Sequence, residues 1–188
     1  MSQHNLNSPR FNSQENQQSE FQKPSRPAAA IDKKHRPYYT ATEGELKAIE
    51  ARAERFVSEG ACDRVDRTID GLLGERAVCE LIPGTGEPDT RVHPEGDGGW
   101  DIKKDETKIN VKSASQETTI PPTLMLSKPL KADCYILANR IDRRTCRLVG
   151  FARQENISRK SKYKEGYYDY RVTQEELRPM TWNIPMLF

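Results

Sequence analysis

The sequence predicts a mixed α/β (α+β) fold, a central mixed β-sheet flanked by helices. Three observations lead there. Apolar residues between 41 and 82 recur at helical spacing, the period drops to two after residue 99, and further short apolar runs follow between 132 and 172. The order of helices first and strands after them argues against a regular alternation of strand and helix.

The chain has 188 residues, the size of one ordinary domain with a tail. Residues 1–37 consist largely of Gln, Asn, Ser and Pro, with Phe11 and Phe21 isolated among them. So little apolar surface does not offset the entropy of ordering, so 1–37 is read as a disordered polar, basic arm and 38–188 as the domain. The formal charge of +2 divides unevenly. Six Lys/Arg face three Asp/Glu in the arm, whereas 24 face 25 in the remainder. A near-neutral body has no global field to draw in a nucleic acid, so any such function must rest on local features.

The first helix is expected from about Ala41 to Glu59, where Leu46, Ile49, Ala53, Phe56 and Val57 share a face. Thr42 and Glu45 have capping-box spacing, and Gly60 follows the end. A second helix spans about Arg64 to Ile82 and stops at Pro83-Gly84; a Gly/Pro/Asp-rich loop then runs from 83 to 99. Trp100–Lys103 and Lys108–Lys112 alternate around the turn residues 104–107, which predicts a hairpin. Pairing Lys103 with Lys108 sets Ile102 against Ile109 and Trp100 against Val111 on an apolar side. Asp101 then faces Asn110 on the other side, with Lys112 two residues along. Strands near 132–138 and 146–152, a helix near 154–161, a strand near 167–172 and a turn at 174–178 complete the domain.

No run approaches the roughly 18 apolar residues of a membrane span, and the first thirty residues lack a signal-peptide core. A soluble, cytoplasmic protein is therefore expected. Cys62, Cys79, Cys134 and Cys146 form no CxxC pair and read as reduced, mostly buried hydrophobes.

Two features point to chemistry. On the predicted hairpin Asp101, Asn110 and Lys112 share a face, a combination that suits a divalent cation and a phosphate; a solvated polar face is the competing explanation. On the second helix, Glu75 lies amid Leu72, Val78, Cys79 and Ile82, all within about 60° of it on the helical wheel. A carboxylate in an apolar arc needs a partner, and its neighbours three and four residues away include no cation. A metal shared with Asp101 or an ion pair with Lys112 would supply one; a half-buried arc would remove the need. Glu80, by contrast, has Arg76 four residues before it.

The segments Gly71-Leu72-Leu73-Gly74-Glu75-Arg76-Ala77, Gly96-Asp97-Gly98-Gly99-Trp100-Asp101 and Asn110-Val111-Lys112-Ser113 together resemble the PD-(D/E)XK nuclease superfamily, most closely its small phage and bacterial members. Ala132–Leu137, Val149-Gly150-Phe151 and Leu177–Met180 fit the same pattern, so the likeness covers about residues 70–181. It implies a restriction-endonuclease-like core, a metal site at the sheet edge, and Mg²⁺- or Mn²⁺-dependent hydrolysis of DNA phosphodiesters. By position, Glu75 matches the helix acid, Asp101 the first motif aspartate, Lys112 the motif lysine, and the main-chain carbonyl of Val111 the usual backbone ligand. Asp97 competes with Asp101 for its role.

The departure is Asn110, which stands where the pattern has Asp or Glu and removes one negative charge from the metal shell; Glu117 is a candidate to compensate. The alternative function is accordingly a catalytically degenerate, nucleic-acid-binding module of the same fold, and a plain interaction protein is the third reading. DNA is the expected partner, no membrane is expected, and a homodimer is compatible with both leading readings. For phosphate contacts the sequence offers Arg140, Arg143, Arg144 and Arg147 at one turn, then Arg159, Lys160, Lys162 and Lys164 before Tyr167, Tyr168 and Tyr170. His93, alone in a polar loop, reads as surface decoration.

Overall fold

The computed structural model describes residues 30–31, 36–88, 98–115, 122–127, 129–158, 162–164 and 167–180. Its elements begin with β1 (Ala30–Ile31), β2 (Pro37–Thr40), α1 (Glu43–Ser58) and α2 (Val65–Leu81), followed by the hairpin of β3 (Ile102–Lys104) and β4 (Thr107–Ala114). Next come β5 (Leu124–Leu126), β6 (Cys134–Arg140), β7 (Thr145–Arg153) and α3 (Gln154–Ser158). The chain closes with β8 (Lys162–Lys164), β9 (Tyr167–Val172), a 3-10 turn at Gln174–Glu176 and β10 (Arg178–Pro179).

The main sheet is mixed and seven-stranded, in the order β1-β2-β7-β6-β4-β3, with β10 also paired to β7. Strands β4 and β6 run parallel, from Ile109 opposite Cys134 to Ala114 opposite Asn139. The other pairings of this sheet are antiparallel. A smaller sheet, β5-β9-β8, stands apart from it.

Two apolar clusters sandwich the main sheet. One gathers Leu73, Ala77, Val78 and Leu81 of α2 with Ile102, Ile109, Val111, Ile136 and Leu148. The other joins Tyr135, Leu137, Val149 and Ala152 to Leu124, Ile157, Tyr170 and Val172. Being covered on both faces, β6 is a continuous buried run from Cys134 to Asn139 with no alternation of polarity. The predicted mixed sheet flanked by helices is thus the fold observed.

Helix α1 starts as its sequence dictates. Thr42 Oγ1 accepts from Glu45 N at 3.2 Å, and Glu45 accepts from Thr42 N at 2.8 Å, closing both halves of the capping box. Gly60, at φ 75°, follows the last turn. Helix α2 lacks a side-chain cap at Arg64 but lies very close to the sheet. A Cβ on Gly74 would fall 2.4 Å from Ser113 Oγ and 3.1 Å from the Ala138 methyl.

The hairpin register is the expected one: Lys103 pairs with Lys108 and Ile102 with Ile109. Below Ile102 the expectation fails. Trp100 does not face Val111, because Trp100 packs on the cluster beneath the sheet and Val111 belongs to the cluster under α2. The main chain turns through Gly98 and Gly99, at φ 64° and 86°, and rejoins β4 out of step. Asp101 N donates to Ile109 O at 2.9 Å, and the Asp101 carboxylate, in place of a strand carbonyl, accepts the Val111 N–H at 2.6 Å. This shift also separates Asp101 from Asn110.

The boundary drawn at residues 37/38 cuts through a β-ladder, since Ala30 pairs with Tyr38 and Ile31 with Pro37. Backbone pairing of two residues leaves no periodicity to read. Strands β5 and β10, three and two residues long, are likewise too short to show a period. No helix among the described residues is long and apolar enough to cross a membrane.

Candidate functional site

The site is built where α2 overlooks β4. An open cleft of about 750 Å³ is lined by Glu75 from α2, Asp101 from the approach to β3, and Val111, Lys112 and Ser113 from β4. The α1–α2 connection adds Ala61, Cys62 and Asp63 to its lining. Three of the residues singled out in the sequence, Glu75, Asp101 and Lys112, therefore line one cavity, together with Val111.

Each is placed by a local cause. Asp101 is anchored by its bond to the Val111 N–H, which holds the carboxylate against β4. Glu75 owes its place to the small residues of its helix. The buried arc of α2 comprises Leu72, Leu73, Gly74, Ala77, Val78 and Leu81, so its centre falls about 120° from Glu75. Glu75 is half-buried at the margin of that arc, and the expectation that it occupies the middle is corrected. Hydropathy gives weight to Ile and Val but little to Gly74 and Ala77, which make the close contact. The ion pair foreseen for Glu80 is present, with Arg76 Nη2 at 2.6 Å. Arg76 also meets Glu45 at 3.5 Å and Glu87 at 2.8 Å, so this cluster ties α1, α2 and the following loop together.

Asn110 is the residue that parts from the group. It is 4% exposed and lines a neighbouring cavity with Gly99, Leu130 and Tyr135. Its Nδ2 donates to Gly99 O at 3.3 Å, while its Oδ1 is buried without a hydrogen-bond partner. Lys112, two residues along β4, lines both cavities. The common polar face predicted for Asp101, Asn110 and Lys112 is thus split by the break in register at Ile102.

Ser113 is a residue the sequence reading passed over. It lines the cleft, and its Oγ is buried with no partner. Alternation along β4 from Val111 could have pointed to it. Among the described residues, no cluster of three His, Cys, Asp or Glu side chains is arranged to hold a metal ion.

Three arginines of the β6–β7 turn are engaged by acids of the helices. Arg140 Nη1 binds Asp70 at 2.7 Å, Arg143 reaches Glu50 at 3.1 Å and Glu43 at 3.8 Å, and Arg144 lies 4.0 Å from Glu43. Asp70 of α2 and Glu43 and Glu50 of α1 thus offset the charge of Arg140, Arg143 and Arg144, in a turn that itself carries Asp142. Asp97, His93, Glu117, Arg159 and Lys160 lie outside the described residues, as do the side chains of Lys162, Lys164, Tyr167 and Tyr168.

The cysteines are free thiols, with Cys134 and Cys146 buried and Cys62 and Cys79 half-buried. Burial pushes the Cys79, Cys134 and Cys146 thiols up to about 12, which makes them poor nucleophiles and fits a packing role. Compared with known proteins, the chain matches no family model and no curated protein sequence.

Proposed function

We propose that the protein is a metal-dependent deoxyribonuclease of the PD-(D/E)XK type, a hydrolase that cuts phosphodiester bonds in the cleft between α2 and β4. One observation carries this reading: Glu75, Asp101, Val111 and Lys112, contributed by separate parts of the chain, line a single open cavity. The donors fit the group. Mg²⁺ characteristically keeps several waters and takes one or two carboxylates plus substrate phosphate, so Glu75, Asp101 and the Val111 carbonyl are a sufficient protein share. Bound there, Mg²⁺ or Mn²⁺ would acidify a water and offset phosphate charge.

The chain's own part is positioning and electrostatics. The Val111 N–H fixes the Asp101 carboxylate. Lys112 brings an ammonium to the cleft, where it orients the scissile phosphate and stabilises negative charge as it accumulates in the transition state. Metal-dependent cutting of linear, nicked, branched or single-stranded DNA tests the reading. Asp101→Ala and Lys112→Ala should each lower the rate at least about 100-fold. Parental rates in either variant would overturn the assignment.

A non-catalytic DNA-binding module is the second reading, and Asn110 favours it. With Asn at this position and its side chain on the neighbouring cavity, the cleft carries one acid fewer than the motif supplies. Metal-dependent cutting by Asn110→Asp, absent from the parent, would identify a degenerate nuclease fold.

A further inference from the structure

The cavity beside the cleft measures about 190 Å³. Ligand sites for drug-sized molecules run from roughly 300 to 1,000 Å³, so this one suits a single planar ring system and excludes a whole nucleotide. Its wall is mixed: Met125, Leu126, Leu130 and Tyr135 supply the apolar and aromatic part, and Asn110, Lys112 and Ser127 the polar part. Met125 is 56% exposed, the one large hydrophobic side chain so exposed among the described residues.

Asn110 faces this cavity with an unmet requirement. Its Nδ2 is committed to Gly99 O, but its buried Oδ1 accepts nothing. A buried carbonyl oxygen without a donor costs free energy, and a ligand N–H would remove that cost. Lys112 lines this cavity and the cleft alike, so the two adjoin along β4.

We propose that the smaller cavity receives one nucleobase turned out of a DNA strand whose phosphate lies in the cleft. Asn110 Oδ1 accepts a hydrogen bond from an exocyclic amine or ring N–H of the base, Met125 and Leu130 pack against the ring, and Lys112 holds the adjoining phosphate. The placement of the phosphate rests on the nuclease reading; the base site rests on the cavity and on Asn110. The substitution that weakens the metal shell thereby acquires a role. An Asp at 110 would lose the amide donor to Gly99 O.

The test uses the full chain in EDTA, so that cutting cannot intervene. Binding of an end-labelled single-stranded octanucleotide of abasic residues carrying one central base is compared, by fluorescence anisotropy, with the fully abasic strand. The base should tighten binding about tenfold, the order of a stacked and hydrogen-bonded base. Asn110→Ala should abolish most of that preference. So should Ser127→Leu, which fills the cavity from an exposed wall position. Equal binding of the two strands by the parent protein, or no binding of either, overturns the inference without recourse to any variant. A free deoxynucleotide that binds as tightly as the strand also overturns it, in favour of a small-molecule site. Metal-dependent cutting with no base preference sinks the base site and spares the nuclease reading. A base preference without cutting does the reverse.

Discussion

At the scale of single residues, Gly71 and Gly74 stand one turn apart on the same helix and meet opposite surroundings. Nothing lies within 4 Å of a Cβ at Gly71, whereas one at Gly74 would strike Ser113 Oγ at 2.4 Å. Gly71→Ala should therefore stabilise the protein by about 0.8 kcal/mol through helix propensity. Gly74→Val should destabilise it by about 2 kcal/mol, since α2 must move off β4. Chemical denaturation of both variants checks the pair, and equal effects would refute the close approach of helix and strand. The same contact explains the place of Glu75. Had bulky residues stood at 74 and 77, the helix would have had to turn another face to the sheet, and Glu75 would have left the cleft.

Among the elements, α1 carries the clearest coupling of sequence to stability. Thr42→Ala removes the Oγ1 that caps the Glu45 N–H and should cost about 1 kcal/mol near neutral pH. The pH dependence follows from Glu45. Burial raises its carboxyl, but bonds from the Thr42 backbone and side chain, together with the nearby Tyr39 hydroxyl and the charge of Arg76, outweigh this and hold it below 4.5. A depressed folded-state value means stability that is fully present above the unfolded value and lost as pH falls through the folded one. The Glu45 contribution should therefore be complete at pH 6 and fade below about pH 4.5, a trend that melts of the parent and Glu45→Gln between pH 3 and pH 7 would reveal. A constant difference between the two across that range would contradict it. The hairpin shows the other side of element-level reasoning. Turn residues and alternation fixed its register, yet alternation stopped being informative where Gly98 and Gly99 let the chain re-enter out of step.

For the whole molecule, charge is organised by the fold. The arginines of the β6–β7 turn meet the acids of α1 and α2, which the chain brings from some 70 to 100 residues away. Arg140 and Asp70 are both largely buried, so Arg140→Ala should cost about 2 kcal/mol of stability by stripping a charged hydrogen bond. It should leave the salt dependence of the proposed DNA binding unchanged, whereas loss of a phosphate contact would lower the slope by about 1. Thermal melts read the first effect and a salt titration the second; a reduced slope with unchanged stability would restore Arg140 to the phosphate-contact role that its sequence suggests.

The main elements of the domain were legible in its residues. Capping, helical periodicity and the change to period two placed α1, α2 and the β3–β4 hairpin, and runs of Val, Ile and Leu placed β6 and β7. Glu75 was legible as a carboxylate among apolar helix residues, and Asp101 and Lys112 as polar positions of the alternating hairpin. What the sequence could not decide depends on contacts between distant segments. The order of the strands, the insertion of β2 and β10 beside β7, the neutralisation of the arginine turn and the division of one polar face into two cavities all arise this way. The physical reason is range. Caps, turns and periodicity act within a few residues, whereas the burial of Asn110 and the convergence of Glu75 with Asp101 exist only once α2 has been drawn onto β4.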